Sequence, residues 1–469
     1  MVGNGGGDTS GAAGGTIVVV PSLTLAIEDL RNVTGVVFYE ERLLCFLLLL
    51  ADPTARVVYT TSTAIDPAII DYYLRFVPDP ADARRRLALV DAGDAELGWL
   101  TAKLLSDRAV LSRLRDAIGD PARARLLPFI ATPVEHELAE ALGVSVDGPR
   151  SELGVLGSKS GARKVARRAG VGVLPGSEDL FTIEEVAAAT TALVAGQPEP
   201  EAVVIKLNDC FSGLGNVILE VDGLADPLPT SKTLFCSPEE SWPTYIAKMA
   251  AQGAVVETLL RDPELRSPSA QLRISPTGVV EILSTHDQIL GGPQNQIYLG
   301  CRFPAHPDYR LTIQREALKI GQVLAEQGVV GSFGIDFLVV GQDVYLSEIN
   351  LRLGGTTHPF WMARLATGAR FDLFAGELRR PDGEARYYVA TDNLKSSRLK
   401  GRSPADVISL VDRSGLAYDT ASATGIALHL LGATPSTGKL GATCIAATPE
   451  AADDLYRALL DLVGADLPS

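Results

Sequence analysis

The sequence predicts a mixed α/β protein of about three lobes, and three observations carry that prediction. Its 469 residues amount to roughly three domains at about 150 residues each. From Thr16 onward, short strand-like runs alternate with segments of helix length and period. Hydrophobic residues make up 46% and charged residues 21%, which is ample apolar material for a packed core.

The first block shows the alternation most plainly. TIVVV (16–20) and RVVYTT (56–61) read as buried strands, while segments 39–51 and 100–118 read as helices. The pattern ends near Gly148-Pro149, which sets an α/β lobe over residues 16–150. Residues 1–15 include the Gly-rich stretch GNGGGDTSGAAGG and are expected to form a disordered tail. Pro21-Ser22-Leu23-Thr24 follows the first strand, so this Rossmann-like lobe lacks the G-x-G-x-x-G that grips a dinucleotide.

Several function classes drop out. A net charge of −15 argues against nucleic acid, whose phosphates demand clustered Lys and Arg. The longest apolar run, Leu43–Ala51, is too short to span a bilayer and reads as a buried helix. No basic and apolar leader opens the chain, and its five cysteines are scattered without a C-x-x-C. A cytoplasmic protein with reduced thiols, no zinc site and no membrane partner is expected, with a symmetric homodimer as the default assembly.

The second block begins at Ser151. Ser158-Lys159-Ser160-Gly161 opens a basic helix that stops at Gly170. GVLGSKS misses the P-loop pattern because Ser158 separates Gly157 from Lys159. Residues 202–221 read as strand, glycine loop, strand, with Lys206 ending the first strand and Ser212, Gly213 and Gly215 in the loop. Such a hairpin can lay backbone N–H groups over phosphates as a flap, and is expected to order when nucleotide binds. A third block runs from about 253 to 375, with Glu257 in a Val-Val-Glu strand and a helix near 310–327. A fourth, 376–469, closes with a helix after Thr448-Pro449.

The chemistry concentrates in Gly334–Asn350. Two apolar strands flank Gly341-Gln342-Asp343; if those three form the loop, facing residues sum to 684 and Asp336 lies opposite Glu348. Asn350 shares the face of Glu348, because side chains alternate with period two. Two carboxylates and an amide oxygen on one face suit Mg²⁺, with Mn²⁺ as the alternative. A lone strand acid reads as a solvated residue, but here three such groups coincide with Arg352 and Gly354-Gly355. The glycines are expected to let backbone approach substrate or phosphate closely.

These elements resemble the ATP-grasp carboxylate–amine ligases: Lys159 at a helix start, Lys206 before a glycine hairpin, the Glu257 strand, then Asp336…Glu348-x-Asn350-x-Arg352. The resemblance covers roughly 151–375. The flanking blocks are similar to the pre-ATP-grasp lobe and C-terminal cap of the pheganomycin-type peptide ligases, through YEERLL, GSKSGARK, KLNDCFSGLGN, SPSAQLRISP, STHDQILGG and YLGCRFPA. It implies an ATP-grasp fold with a pre-ATP-grasp lobe over 16–150, a core over 151–375 (flap about 171–252, metal and ATP part about 253–375) and a small α/β cap over 376–469.

It also implies ATP-dependent amide formation through an acyl phosphate, in secondary metabolism of the antibiotic kind. The partners would be an amino-acid-like carboxylate and an amino acid or peptide amine. Asp336, Glu348 and Asn350 would hold the metal, and Lys159 and Lys206 the ATP phosphates, with Ser212, Gly213 and Gly215 over them. Glu257, Thr258, Leu259 and Leu260 would meet adenine through backbone, and Glu264 the ribose. Arg352, then Arg273, would stabilise the transferring group, since a planar guanidinium grips oxyanions bidentately. His286, His358 and His429 read as structural, and Cys210 and Cys301 lack a partner base for thiol catalysis. Two other readings keep the fold: a thiol or other acceptor, and an ATP-binding regulator without catalysis.

Overall fold

The computed structural model describes residues 14–196, 200–210, 215–221, 228, 233–237, 239–291 and 297–465. Most of the Gly-rich start, and the expectations at Ser212 and Gly213, lie outside them. Five parallel strands, β1 (Thr16–Val20), β2 (Arg56–Thr61), β3 (Leu87–Asp91), β4 (Ala124–Pro128) and β5 (Ser145–Val146), form the first sheet in the order β3-β2-β1-β4-β5. Ile17 and Val19 enter one core while Val18 and Val20 enter another on the opposite face. Burial on both faces is why β1 is an unbroken apolar run rather than an alternating one.

The apolar run Leu43–Ala51 belongs to a helical segment, Val36–Ala51, hydrogen-bonded as a 3₁₀ helix. Leu43 through Leu50 are all buried, in a core shared with Phe360 and Trp361 of the helix Thr357–Thr367 and with Leu431. The expected helix 100–118 is two helices, Leu100–Ser106 and Arg108–Ile118. Asp107 breaks it, because its carboxylate caps the second helix by accepting from the Ala109 and Val110 amides.

A second sheet is antiparallel: β6 (Gly176–Leu180), β7 (Ala202–Leu207), β8 (Asn216–Glu220), β9 (Thr233–Phe235) and β10 (Ala254–Thr258), in the order β6-β10-β7-β8-β9. The third sheet has ten strands. Its first five are β11 (Pro268–Ile274), β12 (Val280–Gly291), β13 (Ile297–Phe303), β14 (Gly331–Val340) and β15 (Asp343–Asn350). It continues through β16 (Arg370–Asp372), β17 (Glu377–Arg379), β18 (Ala385–Lys395), β19 (Gly425–His429) and β20 (Lys439–Ala446). The sheet runs unbroken across residue 375, since β13 pairs β18 and β18 pairs β20. The helix Pro449–Val463 packs on this end, capped by Thr448. Among the described residues no helix is long and apolar enough to cross a membrane.

Candidate active site

Between the second sheet and the β14/β15 edge of the third lies a cavity of about 690 Å³. Lys206, Val204 and Ile218 line one side, and Asp336, Glu348 and Asn350 the other; Arg42 and Phe129 reach in from the parallel-sheet lobe.

Two local devices shape the hairpin behind the three oxygen-bearing side chains. Gly341 takes φ 57° and leads a two-residue turn, so Val340 faces Asp343 and the expected three-residue loop is one residue too long. A bulge then restores the alignment at the far end. Phe337 pairs Leu346, but Asp336 pairs Glu348 and Gly334 pairs Asn350, which leaves Ser347 as the extra residue.

The side chains meet. Asn350 Nδ2 donates to Asp336 Oδ2 and to Glu348 Oε1, at 3.0 Å each, while Arg352 donates to Asn350 Oδ1 at 2.9 Å. The Lys159 ammonium rests on Glu348 Oε2. Gln288 of β12 donates to Asp336 Oδ1 at 2.8 Å. Burial pushes the Asp336 carboxyl up to about 6, draws the Lys159 ammonium down to about 8, and lowers Arg352 to about 10.

This donor set fits a hard divalent cation. It offers oxygen ligands only, two of them acidic and neighbouring, with an ammonium already drawn to one. Asn350 would present Oδ1 by a half-turn of its amide. Among the described residues no group of three or more His, Cys, Asp or Glu could hold a metal, so phosphate oxygens and water would have to complete the shell.

Lys159 is placed by its helix, Lys159–Arg168. The Ser158 hydroxyl caps it by accepting from the Gly161 amide, and the Ser160 amide donates to Asn208 Oδ1 at 2.8 Å, tying the helix start to the flap. Lys206 faces the cavity from β7 and lies 2.5 Å from Glu257 Oε1. Glu257 is only 3% exposed, and its other oxygen takes Arg163 at 2.6 Å. Beyond any backbone role, Glu257 is therefore the shared anion of a buried triad. Arg163 was missed in the sequence; its signal is its place one turn after Lys159.

Thr258, Leu259 and Leu260 line the cavity as expected, yet the Thr258 and Leu259 amides donate to Pro175 O and Ala202 O, at 3.0 Å each. A base at this edge would meet other atoms. Glu264 does not face the cavity: its amide donates to Asp262 Oδ1 at 2.7 Å, and that turn sends Glu264 outward while Asp262 lines the wall. Arg273 is also displaced from the expected role. Ser269 and Gln271 of β11 reach the cavity, but Arg273 lies farther along and pairs at 2.9 Å with Asp147, a strut to the first lobe.

Gly215 lies behind the wall formed by Cys210 and Asn216: a Cβ on it would meet the Cys210 sulfur at 2.3 Å. Gly355 lines the cavity and packs against a ring: a Cβ on it would come within 2.5 Å of Tyr298 Cε1. His286, His358 and His429 are buried and stand off the cavity wall, His286 bonded to Tyr388 OH at 2.7 Å. Burial drives the Cys301 thiol up to about 12.

Solved structures share this fold. Biotin carboxylase from Campylobacter jejuni, a β,γ-ATP complex, gives TM-score 0.59 at 16% identity over 96% of this chain and 92% of that one. N5-carboxyaminoimidazole ribonucleotide synthetase from Thermus thermophilus gives 0.54 at 14% identity, over 97% and 99%. These likenesses establish the ATP-grasp fold. Residues 50–144 match the Pre ATP-grasp domain, 227–348 the IQCH-like ATP-grasp and 406–459 the PGM1 C-terminal domain. The L-propargylglycine--L-glutamate ligase of Streptantibioticus cattleyicolor is 34% identical over 97% of this chain and 95% of its own. IQ motif-containing protein H of Danio rerio is 19% identical over 88% of this chain, which spans 45% of that protein. The chain belongs to the ATP-grasp carboxylate–amine ligase family and is an ATP-dependent ligase.

Proposed function

We propose that this ligase joins the carboxylate of an amino acid to the amine of an amino acid or short peptide, through an acyl phosphate, releasing ADP and phosphate. The observation that carries the reading is the meeting of Asp336, Glu348, Asn350 and Arg352 at one wall of a cavity whose opposite wall bears Lys206. The named substrates of the Streptantibioticus relative, two amino acids, support the substrate class.

A carboxylate is a poor electrophile, so the reaction needs activation and positioning rather than a strong base. Asp336, Glu348 and Asn350 would hold Mg²⁺, with Mn²⁺ as a substitute; when bound, it neutralises phosphate charge. Lys206 and Lys159 supply point charges to the phosphate chain from opposite walls, and each is held ready on a carboxylate. Arg352, held at this wall by its bond to Leu353 O and freed from Asn350 Oδ1 when that oxygen turns to the metal, grips the transferring phosphoryl group and the oxyanion that develops when the amine attacks. Nucleotide base and ribose lie toward Thr258–Leu260 and Asp262.

The test is incubation with Mg-ATP and the proteinogenic L-amino acids, singly and in pairs, with L-glutamate and non-proteinogenic alkynyl amino acids included. ADP with phosphate and a condensed product by mass spectrometry is expected. AMP with pyrophosphate overturns the acyl-phosphate route, and tight ATP binding without turnover on any pair favours the regulator reading.

A further inference from the structure

The far end of the cavity, away from Thr258–Leu260, is formed by Arg42, Phe129, Tyr298 and the turn Gly354–Thr356. Arg42 is out of place by composition. It sits in the 3₁₀ segment Val36–Ala51 directly before the apolar run, and is 7% exposed. Its neighbours Glu40 and Glu41 are buried too, but each is satisfied: Glu40 accepts from the Ser62 amide and hydroxyl at 2.6 Å, and Glu41 accepts from the Gly432 amide at 3.0 Å.

Arg42 is not satisfied in the same way. Its Nε lies 2.9 Å from Asp392 Oδ2, yet neither atom is aligned for a hydrogen bond. The guanidinium lies over the Tyr39 ring, 3.9 Å from its centre. Its backing is firm: His358 Nε2 lies 2.9 Å from Asp392 Oδ1, His358 packs edge-on against His429, and His429 bonds Thr443 Oγ1 at 2.7 Å. The Arg42 charge is paired with Asp392, and of its donors only Nε is buried without a hydrogen bond. The guanidinium also borders the cavity, where its planar fork can meet a second anion.

The reaction's own inventory supplies one. The donor amino acid gives up its carboxylate to the phosphoryl group at the Asp336–Glu348 wall, and its remaining ionic group is a cation that Arg42 would repel. The acceptor brings a second carboxylate that must stay unreacted and must be kept from the phosphoryl group. Resting on the ligase reading above, we propose that Arg42 binds the spectator α-carboxylate of the amine acceptor, fixing its amine toward the acyl phosphate. The bidentate fork of Arg suits a planar carboxylate. Arg42 thus sets specificity for acceptors with a free carboxyl end.

The experiment offers each proteinogenic L-amino acid as acceptor in two forms, free acid and α-carboxamide, to wild type, Arg42→Gln and Arg42→Lys. Expected for wild type is a loss of at least about 30-fold in kcat/KM on passing from acid to amide, as for truncating one partner of a buried charge pair. Arg42→Gln should lose that discrimination, chiefly through acceptor KM, with ATP binding by titration unchanged and Arg42→Lys intermediate. Wild type that uses acid and amide alike overturns the proposal, as does an Arg42→Gln variant that keeps full discrimination. If no free acid releases ADP with any donor, the ligase reading itself has failed, a result distinct from either of these.

Discussion

Asp336 and Glu348 face each other because Ser347 bulges out of the ladder between Glu348 and Leu346. With the two-residue turn alone, Ser347 would stand opposite Asp336 and Glu348 would point to the other face. Glu348→Gln keeps the shape and removes one charge. ADP formation should fall at least about 100-fold, with the melting temperature without nucleotide almost unchanged and the extra stabilisation by Mg-ATP lost. Undiminished turnover by the folded variant would remove Glu348 from the metal site.

The triad of Lys206, Glu257 and Arg163 separates function from stability. Lys206→Ala leaves Glu257 its Arg163 partner, so it should melt close to wild type while ATP affinity drops at least about tenfold. Arg163→Met removes the deeper cation, and should cost about 3–5 kcal/mol in stability, as expected for breaking a buried ion pair. Denaturation curves that rank the two variants the other way would contradict this division.

Gly355→Ala should weaken both stability and turnover, because the added methyl meets the Tyr298 ring. Overpacking of this kind costs about 1–3 kcal/mol. Adding Tyr298→Ala should return part of that stability in a double-mutant cycle; additive effects would show that the ring is not what the methyl strikes.

Arg273→Gln tests the relocated arginine. As a strut between β11 and Asp147, it should lower the melting temperature with kcat/KM retained. A large fall in kcat at unchanged stability would return it to the reaction.

Glu41 predicts a pH dependence of folding. Burial raises its folded pKa from 4.5 to about 8, so its favourable contribution is present below about 4.5 and lost as pH rises toward 8. Each pH unit in that window is worth about 1.4 kcal/mol. Glu41→Gln retains an acceptor for the Gly432 amide, and its melting temperature should gain on wild type steadily between pH 5 and 8. Parallel curves would rule the linkage out.

The sequence by itself determined the elements and the identity of the charged wall. β1, β2, the helix after Ser158, the helix near 310–327 and the capped final helix are local matters of period, N-caps and glycine stops, and they stand where those signals lie. The alternation of Asp336, Glu348 and Asn350 was legible for the same reason, although the loop length was not: a two-residue turn plus a bulge gives the same facing pair as a three-residue turn. Tertiary structure decided which distant groups complete the site. Gln288 and Arg42 come from two other segments, and no local pattern reports that they meet a carboxylate or a cavity; Arg163 shares the helix face of Lys159, but its partner Glu257 lies in a distant strand. Arg273 and Glu264 show the converse, since a strand position or a turn residue faces whatever the packing of other lobes and one Asx turn allow. Side-chain periodicity acts over a few residues, whereas burial and charge pairing act across whatever the fold brings together.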